Sequence, residues 1–434
     1  MARSETAPLA GRRIRVAVLG TGAIARDSHL PALARLAEEG ETEIVAAVDI
    51  AAESAEDYCA AATAAGAAAG SGLGTGAGAW VGVEAGAGAG SWVGAGAPRA
   101  YTDLDLMLQE QRPDLVIICT PPTLHRDQTV AALRAGAWVW CEKPPVPSLA
   151  DFDTVEAEEG KDGGPYASIV FQHRFGSGTR HVRSLLAEQA MGRPLVAHCQ
   201  TTWYRDTAYY AVPWRGRWQT EGGGPAMGHG IHQMDLLLDL LGPWSEVRAM
   251  AGRLVHDVET EDVSTALVRF ANGAMATVVN SVLSPDEVSR IRIDCERATV
   301  ELTHLYGHRN DNWVITPARD VPDAEAGAWQ DFGADVPSSH LEQLRELVAS
   351  MRAGERPRSS GADGRTSLEL IAALYKSAFT DATVKAGEIG PGDPFYTAMH
   401  GGAPGWAPLL GDQGASGQRV ASGELVASGE EVAA

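Results

Sequence analysis

The chain has 434 residues, 45% hydrophobic and 21% charged, with 35 basic against 56 acidic residues and a net charge of −21. That length allows two domains with substantial cores, and that charge argues against nucleic acid or an anionic membrane as the main partner. The five cysteines are odd in number and show no C-x-x-C, so they read as reduced core thiols of a cytoplasmic protein.

Residues 1–12 read as a flexible leader. Arg12-Arg13 before an apolar run resembles a twin-arginine export signal, but the run is short, Arg15 interrupts it, and the first strand needs the same residues. No apolar run reaches the roughly 18–20 residues of a membrane span. The pattern then predicts a strand over Ile14–Leu19, a helix over Ala23–Glu39, a strand over Glu43–Asp49 and a helix over Ala51–Ala65. Residues 66–98 form an Ala/Gly-rich insertion, expected to be disordered because so little of it can be buried. Asp114–Thr120 and Trp138–Cys141 read as strands flanking a helix over Thr123–Ala135. This alternation predicts a doubly wound parallel sheet of Rossmann type over 13–172.

Farther on, short β segments dominate: Leu195–Thr202, Glu246–Val255, Thr265–Phe270, Ala274–Val282, Ile291–Cys295 and Ala298–Leu302. Turns such as Ala271-Asn272-Gly273 predict hairpins, hence an open, mostly antiparallel sheet in a second, α+β domain over 173–400. Helices over His340–Arg352 and Ser367–Lys385 should cover one face or reach back to the first domain. Residues 401–434 read as a disordered tail, with Val420-Ala-Ser-Gly-Glu recurring at Val426.

Three segments carry chemistry. Gly20-Thr21-Gly22-Ala23-Ile24-Ala25 follows a strand and opens a helix, the context in which a G-x-G-x-x-A run binds a dinucleotide pyrophosphate at the helix N-terminus. Asp49, ending the second strand, is placed for the adenosine ribose, and no cation follows it closely, so NAD is favoured over NADP. Thr120-Pro121 and His125 lie at the carboxyl edge of a later strand, where ligands bind; His125 could equally cap or pack there. The second segment is Glu142-Lys143-Pro144. Lys143 is one of four lysines beside 31 arginines, and Lys, unlike Arg, can lower its pKa when desolvated. The third segment, Gly222 to Leu236, is rich in glycine, which lets the chain approach a ligand, and carries His229, His232 and Asp235. A metal is not expected there, because no Cys or Glu cluster accompanies the histidines.

Together these segments, with Phe171-Gln172-His173-Arg174-Phe175 and Gly230-Ile231-His232-x-x-Asp235, resemble the Gfo/Idh/MocA family of sugar and polyol dehydrogenases from about Arg13 to Tyr396, the insertion excepted. The resemblance implies that Lys143 and His232 are catalytic, facing the nicotinamide and the reacting hydroxyl. It also implies a homodimer or homotetramer formed through the open sheet. The chain departs from the family at Gly228, where Asp or Asn is usual, so the customary relay lacks a member; His229 is adjacent but points about 100° away on a helix. The segment Trp203 to Trp218 is aromatic-rich, and a similar stretch borders the family's active site. Trp203, Arg205, Tyr209, Tyr210, Trp214 and Arg215, with Arg174, His229 and His232, are the candidate substrate contacts. The expected function is NAD-dependent hydride transfer from a secondary alcohol of a sugar, sugar derivative or cyclitol. The alternatives are a redox-neutral NAD-dependent lyase or glycosidase and a non-catalytic NAD-binding sensor.

Overall fold

Our computed structural model describes residue 9 and residues 11–70, 96–161 and 163–407. The first sheet comprises β1 (Ile14–Leu19), β2 (Thr42–Val48), β3 (Arg99–Tyr101), β4 (Leu115–Ile118), β5 (Trp138–Cys141) and β6 (Ala167–Ile169). Its order is β3-β2-β1-β4-β5-β6, every pairing parallel. β1, β4 and β5 are almost wholly buried, as a parallel sheet covered on both faces requires. The sequence pattern missed β3, which is only three residues long and follows the insertion.

The second sheet comprises β7 (Pro194–Tyr204), β8 (Trp244–Gly252), β9 (Val263–Phe270), β10 (Met275–Ser281), β11 (Leu283–Cys295), β12 (Ala298–His304), β13 (Trp313–Pro317) and β14 (Val384–Lys385). Its order is β13-β12-β11-β7-β10-β9-β8-β14, and only the β7–β10 pairing is parallel. β9 shows the alternation that a one-sided sheet dictates: Ser264, Ala266, Val268 and Phe270 point inward, while Thr265, Leu267 and Arg269 point out. Gly273, at φ +92°, makes the β9–β10 turn, a conformation few other residues tolerate.

Several boundaries differ from the sequence reading: the helix expected over Ser367–Lys385 spans Gly361–Thr380, and Val384–Lys385 instead pairs with β8 as β14. The helix Ala52–Gly70 runs into the expected insertion, as its alanines favour; residues 71–95 lie outside the described residues. Arg12 is anchored rather than part of a leader, since it grips Asp114 with two hydrogen bonds of 2.6 Å; residues 1–8 are outside the described set. Residues 401–407 fold onto the second unit, where Trp406 stacks on Phe379 at 4.2 Å; residues 408–434 are outside the described set.

The helix His340–Ala353 crosses the expected 172/173 boundary. Its Leu344, Leu347, Val348 and Met351 lie in one cluster with Ile14, Val16, Leu33 and Leu36 of the first unit. By contrast, the helix Gly361–Thr380 shares its core with the second sheet and the helix Ile231–Leu241.

Arg174 joins these last two helices. Its guanidinium is 1% exposed and donates to Asp235 (Nε–Oδ2 2.7 Å) and to both oxygens of Asp363 (2.9 and 2.7 Å), with Asp239 at 3.7 Å. The sequence reading placed Arg174 against substrate; the structure places it in the core, its donors spent on carboxylates. Removing one member of a buried ion pair leaves uncompensated charge. Arg174→Met should therefore destabilise the protein by about 3–5 kcal/mol, read as a lowered urea midpoint.

Candidate active site

The C-terminal ends of β1, β4 and β5 bring three motif segments to one edge. Gly20 leaves β1 at φ +82°, and a Cβ there would lie 2.8 Å from the Cys119 carbonyl carbon, so the crossing of the β1 and β4 ends demands glycine. At Gly22 a Cβ would meet nothing within 4 Å. The exposed Gly22 and Ala23, with partly exposed Ile24 behind them, thus open onto free space at a helix start, which is what a pyrophosphate needs. The residues present fit a dinucleotide.

Asp49 stands where β2 ends and accepts from the Thr21 amide (2.9 Å), the Thr21 hydroxyl (3.0 Å) and the Ala51 amide (3.0 Å). Burial alone would raise its carboxyl, but these donors outweigh it and hold the group below the usual range. Thr21 is itself buried, tied to Asp49 and Ser54. A cation does come near: Arg26, five residues along the helix, reaches the carbonyls of Thr21 and Ser54. Sequence adjacency to Asp49 could not show this.

Two expected cofactor contacts turn elsewhere. His125 is 1% exposed with Nδ1 3.0 Å from the Pro144 carbonyl and Nε2 2.7 Å from that of Thr120. Both ring nitrogens lie against main-chain carbonyls, and the ring, whose pKa burial lowers, donates to one of them when neutral, sitting between the β4 end and the loop after Lys143. Glu142 also turns inward, with Oε1 2.8 Å from His29 Nε2 and 3.4 Å from His340 Nε2. Burial would raise this carboxyl, yet the two histidines hold it well below the ordinary range. Among the described residues this trio alone gathers three residues that could ligate one metal ion. Its 2.8 Å contact is a hydrogen-bond distance, and His29 Nδ1 lacks the outer partner that ligating histidines almost always have. It reads as a hydrogen-bonded brace. Thr120 and Pro121 stay at the sheet edge, with the Thr120 hydroxyl held by Gln128 at 2.5 Å.

Lys143 faces the other way from Glu142. Its Nζ donates to the Gly228 carbonyl at 3.0 Å, a main-chain contact with the residue where the family resemblance implies a carboxylate. Burial lowers its pKa from the usual lysine value, Arg215 adds to that, and Glu142 and Glu221 oppose it. His232 begins the helix Ile231–Leu241, 3% exposed, and both of its ring nitrogens lack any partner. Burial, then the charge of Lys143, hold it well below the ordinary imidazole range, so it is neutral at neutral pH. His229 Nδ1 is likewise unpartnered. The two rings diverge: His232 packs with His173 (5.0 Å) and Tyr306 (5.9 Å), while His229 faces Trp203 (5.1 Å) and Tyr209 (6.3 Å).

The aromatic segment supplies the outer wall. Arg215 lies 3.8 Å over the Tyr209 ring and 4.2 Å over Trp214, and Arg205 lies 5.1 Å over Trp203. Tyr210 meets Tyr209 edge to face at 5.1 Å. Trp218, at the end of the segment, instead enters the core against Tyr375.

Sequence reasoning missed His29, His340, Tyr306, Glu261 and Tyr375. Each is distant in the chain, and no local motif marks it. The glycines of the third segment also have a different reason from the one expected. Cβ atoms at Gly223, Gly224 and Gly230 would strike Tyr375 Oη (2.4 Å), the Glu261 carbonyl oxygen (2.0 Å) and Asn280 Oδ1 (1.9 Å). These glycines admit the protein's own side chains, and of this run Gly228 alone has nothing within 4 Å of its Cβ.

Known proteins resemble the chain in both units. Residues 86–167 match a family model described as an oxidoreductase family with an NAD-binding Rossmann fold, and residues 179–301 match the GFO/IDH/MocA C-terminal domain. The chain is 27% identical over 310 residues to the myo-inositol 2-dehydrogenase of Thermotoga maritima, covering 68% of this chain and 86% of that one. It is 24% identical over 315 residues to the D-glucoside 3-dehydrogenase of Escherichia coli (67% and 84% covered). Among solved structures, the WlbA dehydrogenase of Chromobacterium violaceum, in complex with NADH and UDP-GlcNAcA, superposes with a TM-score of 0.70 at 25% identity, covering 88% of this chain and 98% of that one. Sheet order and these matches agree: the chain belongs to the Gfo/Idh/MocA family of oxidoreductases with an NAD-binding Rossmann fold.

Proposed function

We propose that the protein is an NAD-dependent dehydrogenase that oxidises a secondary alcohol of a sugar, sugar derivative or cyclitol. The observation that carries this is His232, a buried imidazole that has no partner on either nitrogen and feels the charge of the buried Lys143, in a chain whose Gly22 turn is open. NAD, when bound, supplies the hydride acceptor. Gly22 and the following helix start take the pyrophosphate, and Asp49 takes the adenosine ribose. Neutral His232, or Lys143 with its pKa lowered by burial, accepts the hydroxyl proton. Trp203, Tyr209, Tyr210 and Trp214 offer faces to the C–H surface of the ring, and Arg205 and Arg215 donate to its oxygens.

The names of the relatives support this class of substrate, and none of the site's features favours elimination or sensing over hydride transfer. Five free cysteines support a reducing compartment, hence a cytoplasmic location. No helix among the described residues is long and apolar enough to cross a membrane. The outer face of the second sheet exposes Met250, Leu267, Met275 and Val314, which supports a homodimer or homotetramer formed there.

The direct test is purified protein with NAD and a panel of sugars and cyclitols, following NADH absorbance and product together. Lys143→Ala and His232→Ala should each lower turnover by about 10²-fold or more, with NAD binding retained in His232→Ala. Full activity in His232→Ala would overturn the assignment.

Gly228→Asp should fold, since its Cβ enters open space, and should keep or raise turnover by restoring a carboxylate near Lys143. A loss beyond about tenfold in a folded variant would show that the main-chain contact has replaced the relay for good.

NAD should bind more tightly than NADP, because ionised Asp49 repels a 2′-phosphate. Asp49→Ser combined with Ile50→Arg, at a position 93% exposed, should relax that preference in a titration with NADH and NADPH. Equal or tighter NADPH binding by the unaltered protein would refute it.

A further inference from the structure

Glu261 is a fully buried carboxylate that the dehydrogenase mechanism does not use. It precedes β9, and its side chain points into the glycine-rich segment rather than toward any cation. Oε2 accepts from the Gly224 amide at 3.0 Å, and Oε1 accepts from the Ala226 amide at 3.0 Å and the Tyr375 hydroxyl at 2.9 Å. Tyr375, 0% exposed on the helix Gly361–Thr380, also accepts from the Gly224 amide at 3.2 Å. Burying a carboxylate is costly unless donors meet it; three do so here, yet burial still pushes the Glu261 carboxyl up to about 7. The chain has given up side chains at Gly223 and Gly224 to admit them.

The segment so held is the short turn Pro225–Gly228. Its start is fixed by Glu261 on the Ala226 amide, and its end presents the Gly228 carbonyl to Lys143 Nζ. Internal bonds from the Gly228 amide to the Gly224 carbonyl (2.8 Å) and from the Gly230 amide to the Pro225 carbonyl (2.7 Å) make the turn one rigid piece. We propose that Glu261, assisted by Tyr375, is a positioning residue for Lys143: it sets the turn whose terminal carbonyl holds the ammonium in place of the carboxylate absent at Gly228. The inference rests on the assignment of Lys143 to the active site, and its contact geometry stands whatever the substrate proves to be.

A hydrogen bond from an ammonium to a carbonyl favours the charged form, so displacing the Gly228 carbonyl lowers the pKa of Lys143 further. The other groups acting on Lys143 are Glu142, Arg215 and Glu221, and its own charge acts on His173, His229 and His232; none of them touches Glu261. The lysine's ionisation can be read without turnover. The chain has only four lysines, so limited acetylation with acetic anhydride across a pH series, resolved by mass spectrometry, follows Lys143 with Lys376 as internal control. Glu261→Gln should move the Lys143 midpoint down by about one pH unit and leave Lys376 unmoved. Tyr375→Phe should move it the same way by less, and carries the test if Glu261→Gln does not fold. In kinetics the change should appear in kcat, with NAD affinity within about twofold of the parent. An unmoved Lys143 midpoint in folded variants overturns the positioning role. Absence of turnover in the parent protein would instead overturn the dehydrogenase assignment, leaving the labelling result intact.

Discussion

Everything at the site depends on how the helix Ile231–Leu241 is held, and a buried guanidinium holds it. Arg174 sits just after the crossover from β6, grips Asp235 one turn beyond His232, and reaches Asp363 at the start of the helix Gly361–Thr380. Ser367 adds a bond to Asp235 at 2.8 Å. Such a network buys little net stability, since its desolvation cost is of the same order as its Coulomb gain, but any other arrangement leaves charge unpaired in the core. It therefore fixes the rotation of the helix, and with it the direction of His232.

The first sheet contributes position in a different way. Parallel strands end at one edge, so residues distant in sequence arrive side by side there. β5 delivers Glu142 and Lys143 to opposite sides, the strand alternation separating them. Glu142 is buried with His29 and His340 and braces the two units, leaving Lys143 free to face the cleft. The same two-residue unit thus turns one side chain into the core and the next toward the Gly228 carbonyl.

Charge within the cleft follows from burial. Lys143, His229 and His232 are all shifted toward their neutral forms by desolvation, and the proximity of one cation deepens the shift of the others. The imidazoles are thereby neutral at neutral pH, while the buried carboxylate of Glu142, next to the lysine in the chain, opposes the shift of Lys143 itself. The aromatic wall of Trp203, Tyr209 and Trp214 supplies surface, while its arginines stay close to ring faces rather than free in solvent.

The sequence by itself determined the elements with strong periodicity and the motifs with local geometry. β1 and β5 fall on the residues predicted, because continuous apolar runs bounded by turn residues have one reading. Gly20 and Gly22 were legible because strand, glycine and helix are adjacent in the chain. Lys143 and His232 were legible through the order and spacing of motifs. Only the tertiary structure decided which side chains those motifs face. Arg174 and His125 sit inside active-site motifs yet spend their donors on the core and the main chain, and Glu142 turns away from its neighbour. The glycines of residues 222–230 announced close approach, but not to what; Glu261, Tyr375 and Asn280 come from segments far away in the chain, and long-range contacts leave no local pattern to read. Spacing along a chain fixes which face of an element a residue occupies, whereas the partner on that face is set by how the elements close on one another.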